Sequence, residues 1–426
     1  MKKPGLTGQI IIAMIFGVVV GALLKNFGDS AIVSEYIIDG FFTVVGKIFV
    51  KSLKMLVVPM VFISLVCGSS ALGDPKKLGS VGGKTIGFYL ATTAIAISLA
   101  LLAALTLGPG KGFEVATNTA FTPKAAPSLT EVLVNIFPSN PIASMAEGNM
   151  LQVIVFSVLV GIALSLMGDK AKRIQEIFFE LNEVVMQMIS ILMKIAPIGV
   201  FCLLAKVFAN QGLDVIVPLA KYFFIVLGVL FIHAFATYGG ILTIFGRLNP
   251  IVFFNKLKSV VLFAFSTASS NATLPVTLRT VEKRLGVNNS IASFTIPLGA
   301  TINMDGTAIM QGVATVFIAQ AYGIDFGASQ FLQVILTATL ASIGTAGVPG
   351  VGLITLAMVL QQVGLPVEGI GLIIGVDRLL DMVRTAVNVC GDCAVSCVVA
   401  KYENQLDEET FNDPSAGLIE GEAESA

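Results

Sequence analysis

Between Val376 and Cys397 the chain reads VDRLLDMVRTAVNVCGDCAVSC, an apolar background that carries Asp377, Arg378, Asp381, Arg384, Asn388 and Asp392. Asp377, Asp381, Arg384, Asn388 and Asp392 are spaced by four, three, four and four residues. At about 100° per residue they fall within a stripe about 80° wide on one helix face. Two chemistries suit these types. Arg384 offers a planar fork that matches a carboxylate, and Asp381, one turn away, can take an ammonium group. Asn388 and Asp392, with Asn303 and Asp305 in the segment NMDGT, offer hard oxygens for an alkali cation. An ionisable side chain at the middle of a membrane helix costs roughly 2.5–3.5 kcal/mol, so four on one stripe facing lipid would cost on the order of 10 kcal/mol. The stripe must therefore face protein, water or a ligand. A ladder of structural ion pairs would also satisfy it. Three acids against one base, however, leave negative charge that bound cations would neutralise.

The elements that position these residues belong to a membrane chain. Of 426 residues, 55% are hydrophobic and 12% charged, and mean hydropathy is +0.89. Such a composition excludes a soluble domain and implies an all-α polytopic membrane protein. At about 20 residues per span, about eight crossings fit. The net charge is −1 and no dense basic patch is present, so no nucleic-acid partner is expected. The start, MKKPG, precedes an apolar run that continues to Leu24 without a small-residue cleavage site, and reads as a retained first helix rather than a signal. Cys390 and Cys393 form a C-x-x-C, but with no second pair and no nearby histidine they read, like Cys67, Cys202 and Cys397, as packing residues without disulfides. The single histidine, His233, lies in another apolar run. Ser269 and Ser270 have no His or Lys base in a recognisable arrangement, so an enzyme is not expected.

Apolar runs predict helices over about 8–24, 41–72, 82–108, 128–168 with an interruption, 174–210 and 214–246. Basic residues fall on alternate connections: Lys2 and Lys3, Lys76 and Lys77, the group at Lys170, Lys172 and Arg173, then Arg247, Lys256 and Lys258, then Arg279, Lys283 and Arg284, and finally Lys401. That alternation places both termini in the cytoplasm and the Gly108–Pro127 stretch outside. Lys51 and Lys54 read as snorkelling side chains, and Pro197 predicts a kink. From Ile251 to Arg279 an apolar run is broken at Ser266-Thr267-Ala268-Ser269-Ser270-Asn271, with basic residues at both ends. From Phe331 to Gly364 a second run is broken by SIGTAGVPGVG, with both flanks external. Each half is too short to span a bilayer, so both runs read as re-entrant helical hairpins. A long helix follows each hairpin, one interrupted at Asn303–Thr307 and the other at Asn388–Asp392. Opposite approach by the two units makes an inverted repeat, the mark of a transport site at the midplane. The acidic stretch from Glu403 to Ala426 reads as a disordered cytoplasmic tail.

At ASSNATLPVTLR, PLGATINMDGTAIMQGV, GTAGVPG and DRLLDMVRTAVNVCGD the chain closely resembles the dicarboxylate/amino acid:cation symporters, the glutamate transporter family, and the resemblance extends to KMLVVPM in the second helix. It implies eight transmembrane helices plus the two hairpins, a homotrimer in the cell (inner) membrane, and import of aspartate or glutamate driven by sodium through an elevator motion. It further implies that Arg384 binds the side-chain carboxylate and Asp381 the amino group, with Ser269, Ser270, Thr307, Val348, Gly352, Thr385 and Asn388 completing the substrate shell. Two to three sodium ions are implied. One sits at Gly299, Asn303, Asn388 and Asp392, a second on backbone of Thr301, Ser342, Ile343 and Thr345, and a third at Tyr89, Thr92, Thr93, Asn303 and Asp305. The implied organisation is scaffold helices over 1–80 and, after an outer loop, over 111–212. The moving part is 81–110, 213–248 and the core 249–402, and the tail is 403–426. A proton-coupled glutamate or four-carbon dicarboxylate carrier is the alternative within the family, and an anion channel the alternative outside it. Two departures stand out. Archaeal members carry an arginine where this chain has Ala268, and animal members one where it has Met382, whereas here Arg378 stands one turn earlier. Animal members place a glutamate, linked to proton co-transport, where this chain has Gln311, and an amide cannot titrate.

Overall fold

The computed structural model describes residues 6–27, 30–71, 78–112, 134, 137–212, 216–342, 347 and 349–417. Lys2, Lys3, Lys76, Lys77, most of the expected outer loop, the hairpin residues Ile343, Gly344, Thr345, Ala346 and Val348, and the end of the tail lie outside them. The protein is a helical membrane bundle. Helices α1 (Leu6–Lys25), α2 (Thr43–Ala71), α4 (Met150–Leu166) and α5 (Lys172–Gln211) pack on one another, α1 along α5 and α2 against both α4 and α5. Pro197 lies inside α5, where a proline removes one helical hydrogen bond. The flanking segments Gly168–Ile189 and Lys194–Asn210 are bent by 46°, as the sequence predicts.

The second group begins with α3 (Gly83–Leu107), which ends where Gly108 adopts φ +56 and donates its amide to Ala104 O. It continues with α6 (Ile216–Ile232), whose helical path runs on to Gly246. Hairpin 1 follows as α7 (Lys258–Thr267) and α8 (Ser270–Lys283), then α9 (Asn289–Ile302) and α10 (Asp305–Ala321). Hairpin 2 is α11 (Ala328–Ser342) and α12 (Val351–Gln362), and α13 (Ile370–Tyr402) closes the group. At the tip of hairpin 1, Ala268 takes a left-handed φ of +49, and Ser269 caps α8 by accepting the Ala272 amide.

Burial separates the helices that meet lipid from those that hold charge. The most apolar window of α13 is 89% buried, against 39% in the spans containing α3 and α6. Those two spans present exposed Leu102, Phe224, Phe231 and Phe235, as helices facing lipid do. All residues of α10 are buried except Gln320, so it runs through the centre of the second group. The polar face of α13 thus meets protein, the solution that its charge required.

Two expectations need correction. The polar residues Asn388–Asp392 do not break their helix, because α13 is continuous from Ile370 to Tyr402. Only the α9–α10 partner is broken, at Asn303 and Met304. The reason is that α13 offers side chains to the break and keeps its own backbone bonds, whereas α9–α10 surrenders amides. The tail is also not disordered from Glu403. Its first part runs along the base of hairpin 1, with the Asn288 amide on Gln405 O at 2.9 Å and the Asp407 amide on Gly286 O at 2.8 Å. A short helix α14 (Glu408–Asn412) follows, capped by Asp407, whose carboxyl is held below its usual range by the Thr410 hydroxyl and nearby amides. Phe411 is fully buried, and the buried Lys256 donates to both Arg284 O and Thr410 O at 2.7 and 2.6 Å. A mostly acidic composition concealed one aromatic anchor. Removing it by Phe411→Ala should cost about 3 kcal/mol. The thermal unfolding midpoint in detergent reads this, and an unchanged midpoint would show that the tail is only loosely attached.

Candidate functional site

The stripe of α13 faces the broken helix and both hairpin tips. Arg384 is 1% exposed. It donates Nη1 to Asp377 Oδ1 at 2.5 Å and Nη2 to Asp381 Oδ1 at 2.8 Å, while its Nε is buried with no partner among the described residues. A buried guanidinium donor without an acceptor is costly, and a carboxylate would satisfy it. Asp381 Oδ2 accepts the Gly350 amide from hairpin 2 at 3.2 Å and Arg378 Nη1 at 3.4 Å. Beside these groups lies a cavity of about 20 Å³ lined by Ser270, Thr307, Gly352, Asp381, Thr385 and Asn388, with Ala268, Met304, Gly347 and Val351. A volume of that size holds about one water. That is too small for an amino acid.

The tips of the two hairpins touch. Ser269 Oγ donates to Gly347 O at 2.6 Å, and the Asn271 amide donates to the same oxygen at 3.2 Å. A Cβ on Gly347 would lie 2.9 Å from Ala300 O and from Ser270 Cβ, so only glycine permits this approach.

Deeper in the group lies a second cluster. Asp305 is fully buried, with Oδ1 accepting from Thr93 Oγ1 at 2.5 Å and Oδ2 from Tyr238 OH at 2.9 Å. His233 Nε2 is 3.0 Å from the same Oδ2. Asn303 donates Nδ2 to Asn388 O at 3.0 Å and to Asp392 Oδ1 at 2.9 Å, while its own Oδ1 is buried without a partner among the described residues. Asn388 Oδ1 takes the Gly306 amide, freed by the helix break, at 2.7 Å. Among the described residues no lysine or arginine pairs with Asp305 or Asp392, and the imidazole of His233, beside Asp305, is the one basic side chain in contact with either. Two buried carboxylates and an unsatisfied amide oxygen make a hard-oxygen environment short of positive charge.

The sequence-predicted residues sort as follows. Thr93 bonds Asp305 directly, and the Thr92 and Thr93 hydroxyls both bond Tyr89 O, whereas Asn303 bonds Asn388 and Asp392 instead. Tyr89 OH donates to Thr295 O, and Gly299 abuts Tyr89 OH and Asp392 Oδ1. Asn388 and Asp392 join through Asn303. Thr385 bonds its own helix at Asp381 O, Thr301 bonds Leu298 O, and Ser342 bonds Thr339 O. Ile343, Thr345 and Val348 lie outside the described residues. Sequence reasoning missed His233 and Tyr238, whose signal was an imidazole and a phenol five residues apart in an otherwise apolar span. The role of Met304, whose sulfur accepts Asn388 Nδ2 at 3.4 Å, had no signal.

A chamber of charge closed inside a membrane bundle, with two helical hairpins meeting over it, is the arrangement of a secondary transporter. The profile of the sodium:dicarboxylate symporter family matches residues 6–402, and the chain belongs to that family. It is 38% identical over 418 residues to a proton/sodium-glutamate symport protein of Bacillus caldotenax, covering 96% of this chain and 97% of that one. It is 36% identical to the proton/glutamate-aspartate symporter of Escherichia coli, covering 95% and 94%. It is also 33% identical to a C4-dicarboxylate transport protein of Bacillus subtilis, covering 97% of each.

A Cβ on Gly391 would meet Asn303 Nδ2 and lie 2.5 Å from Tyr238 OH, groups that hold the two buried acids. Gly391→Ala should destabilise the protein by about 2 kcal/mol through overpacking. If the cluster holds a cation, the substitution should also shrink any rise in thermal midpoint in sodium chloride over choline chloride. An undiminished sodium-dependent rise would separate this cluster from cation binding.

Proposed function

We propose that the protein imports acidic amino acids, aspartate or glutamate, by symport with sodium. The observation that carries this is Arg384, a buried guanidinium whose Nε has no partner among the described residues, one turn from Asp381. The pair suits a substrate that brings a side-chain carboxylate and an ammonium together. Asp381 disfavours a dicarboxylate lacking that ammonium. Gln311 is buried and bonds Thr355 Oγ1 at 2.8 Å, and its amide carries no titratable proton, which favours sodium over a proton at that position.

Two to three sodium ions accompany the substrate in this reading. They use Asp392 with Asn303, Asn388 and Gly299, Asp305 with Thr93, Thr92, Tyr89 and Asn303, and the backbone of Thr301, Ser342, Ile343 and Thr345. Hairpin 2 is the lid. The helices packed with α3 and α13 move as one body past a scaffold of α1, α2, α4 and α5, in a homotrimer of the cell (inner) membrane with both termini cytoplasmic. The distinct packing of those two groups supports the division.

Purified protein in liposomes tests the proposal. Labelled aspartate should accumulate under an inward sodium gradient and not under a lithium or proton gradient alone. Arg384→Ala should lower aspartate affinity by at least about a hundredfold, because the substrate carboxylate would be desolvated without a partner, a loss on the order of 3–5 kcal/mol. Unchanged affinity would remove Arg384 from the substrate site.

A further inference from the structure

Arg378 is a cation for which the proposed substrate site has no evident use. It stands three residues before Asp381 on α13, and its Nη1 lies 3.4 Å from Asp381 Oδ2, each side chain 10% exposed. The other oxygen of Asp381 is held by Arg384 Nη2 at 2.8 Å, and Arg384 is also tied to Asp377. Two acids and two arginines therefore balance with no substrate present. Oδ2 also receives the Gly350 amide at 3.2 Å, and Gly350 is the residue at which the second arm of hairpin 2, α12, begins. Closure of the lid over the small cavity thus depends on the same oxygen that Arg378 neutralises.

The two arginines are not equivalent. Arg384 is buried within the stripe and keeps an Nε that is unpartnered among the described residues, open to an incoming carboxylate. Arg378 contacts the outer oxygen of Asp381 at a longer distance. An ammonium group has only donors to offer, and so has a guanidinium, so the two compete for the lone pairs of Asp381. Ala268, with its methyl side chain, lines the cavity at the tip of hairpin 1 and brings no charge. The competing cation comes from α13 itself.

We infer that Arg378 is a stand-in for the substrate's ammonium group, pairing with Asp381 when the site is empty and yielding Oδ2 when substrate arrives. Arg378 is then a positioning residue of the empty carrier. It keeps Asp381 neutralised so that hairpin 2 can close on an unloaded site, and an unloaded but closed domain can return across the membrane. Without it, the closed empty site would bury an uncompensated carboxylate, which membrane and protein interiors both penalise. The inference rests on the reading of Asp381 as the ammonium ligand.

Three measurements on Arg378→Gln and Arg378→Lys in liposomes test it. These are equilibrium aspartate binding, exchange of internal for external aspartate, and net uptake under a sodium gradient. Exchange needs only the loaded carrier, whereas net uptake needs the empty one to return. In Arg378→Gln, binding should tighten three- to tenfold, exchange should stay within twofold of wild type, and net uptake should fall at least tenfold. Arg378→Lys should restore most of the net uptake. A merely structural residue would lower exchange and net uptake together, and that result, or no change in any of the three, overturns the inference. Wild-type protein that neither binds nor exchanges an acidic amino acid would overturn the reading of Asp381 and this inference with it. Wild-type exchange without the split in Arg378→Gln overturns this inference alone.

Discussion

Four carboxylates buried in a membrane bundle set the terms for the rest of this structure. Asp377, Asp381, Asp305 and Asp392 are each less than a tenth exposed. Removing such groups from water is expensive unless opposite charge and hydrogen bonds replace the lost solvation. The fold answers in two ways. Near the hairpin tips, arginines compensate Asp377 and Asp381. Around the helix break, Asp305 and Asp392 contact no lysine or arginine among the described residues, and a threonine, a tyrosine, a histidine and an asparagine amide hold them. The second answer satisfies geometry and leaves charge uncompensated. In the proposed mechanism the cargo supplies it.

The break between α9 and α10 follows from the same constraint. An intact helix would spend its amides and carbonyls internally. Stopping at Asn303 and Met304 releases the Gly306 amide to Asn388 and places Asp305 at a helix start, where the dipole favours a negative charge. The hairpins use their ends in the same manner, with Ser269 capping one arm and reaching Gly347 on the other hairpin. The Gly350 amide sits on Asp381, so that carboxylate and hairpin 2 are in direct contact, and the proposed mechanism uses the contact as a link between them. Such a link is what a symporter needs if an empty site and a loaded site are both to close, while a half-loaded one stays open.

Much of this was legible in the sequence because the periodicity of charge in an apolar run is a strong signal. Asp377, Asp381, Arg384, Asn388 and Asp392 define one face, and the structure turns that face inward. The interruption at NMDGT and the two broken hairpin runs were legible for the same reason, since half-length apolar runs cannot span. What was not legible is long-range pairing. His233 and Tyr238 meet Asp305 across 72 and 67 residues, and nothing local to them reveals the partner. Asn388–Asp392 resembled a second helix break because side-chain polarity alone does not say whose backbone will yield. The tail was misjudged because average composition hides a single anchoring residue, Phe411, and a lysine, Lys256, whose acceptors are backbone carbonyls on two distant segments.

The central claim is that the charge missing around Asp305 and Asp392 is carried by co-transported sodium. Simultaneous uptake of radioactive sodium and labelled aspartate into proteoliposomes at zero initial ion gradient measures it directly. With an outward-to-inward aspartate gradient as the sole driving force, more than one sodium ion should enter with each aspartate, and Asp392→Asn should lower that ratio. Aspartate entry with no accompanying sodium would contradict the claim.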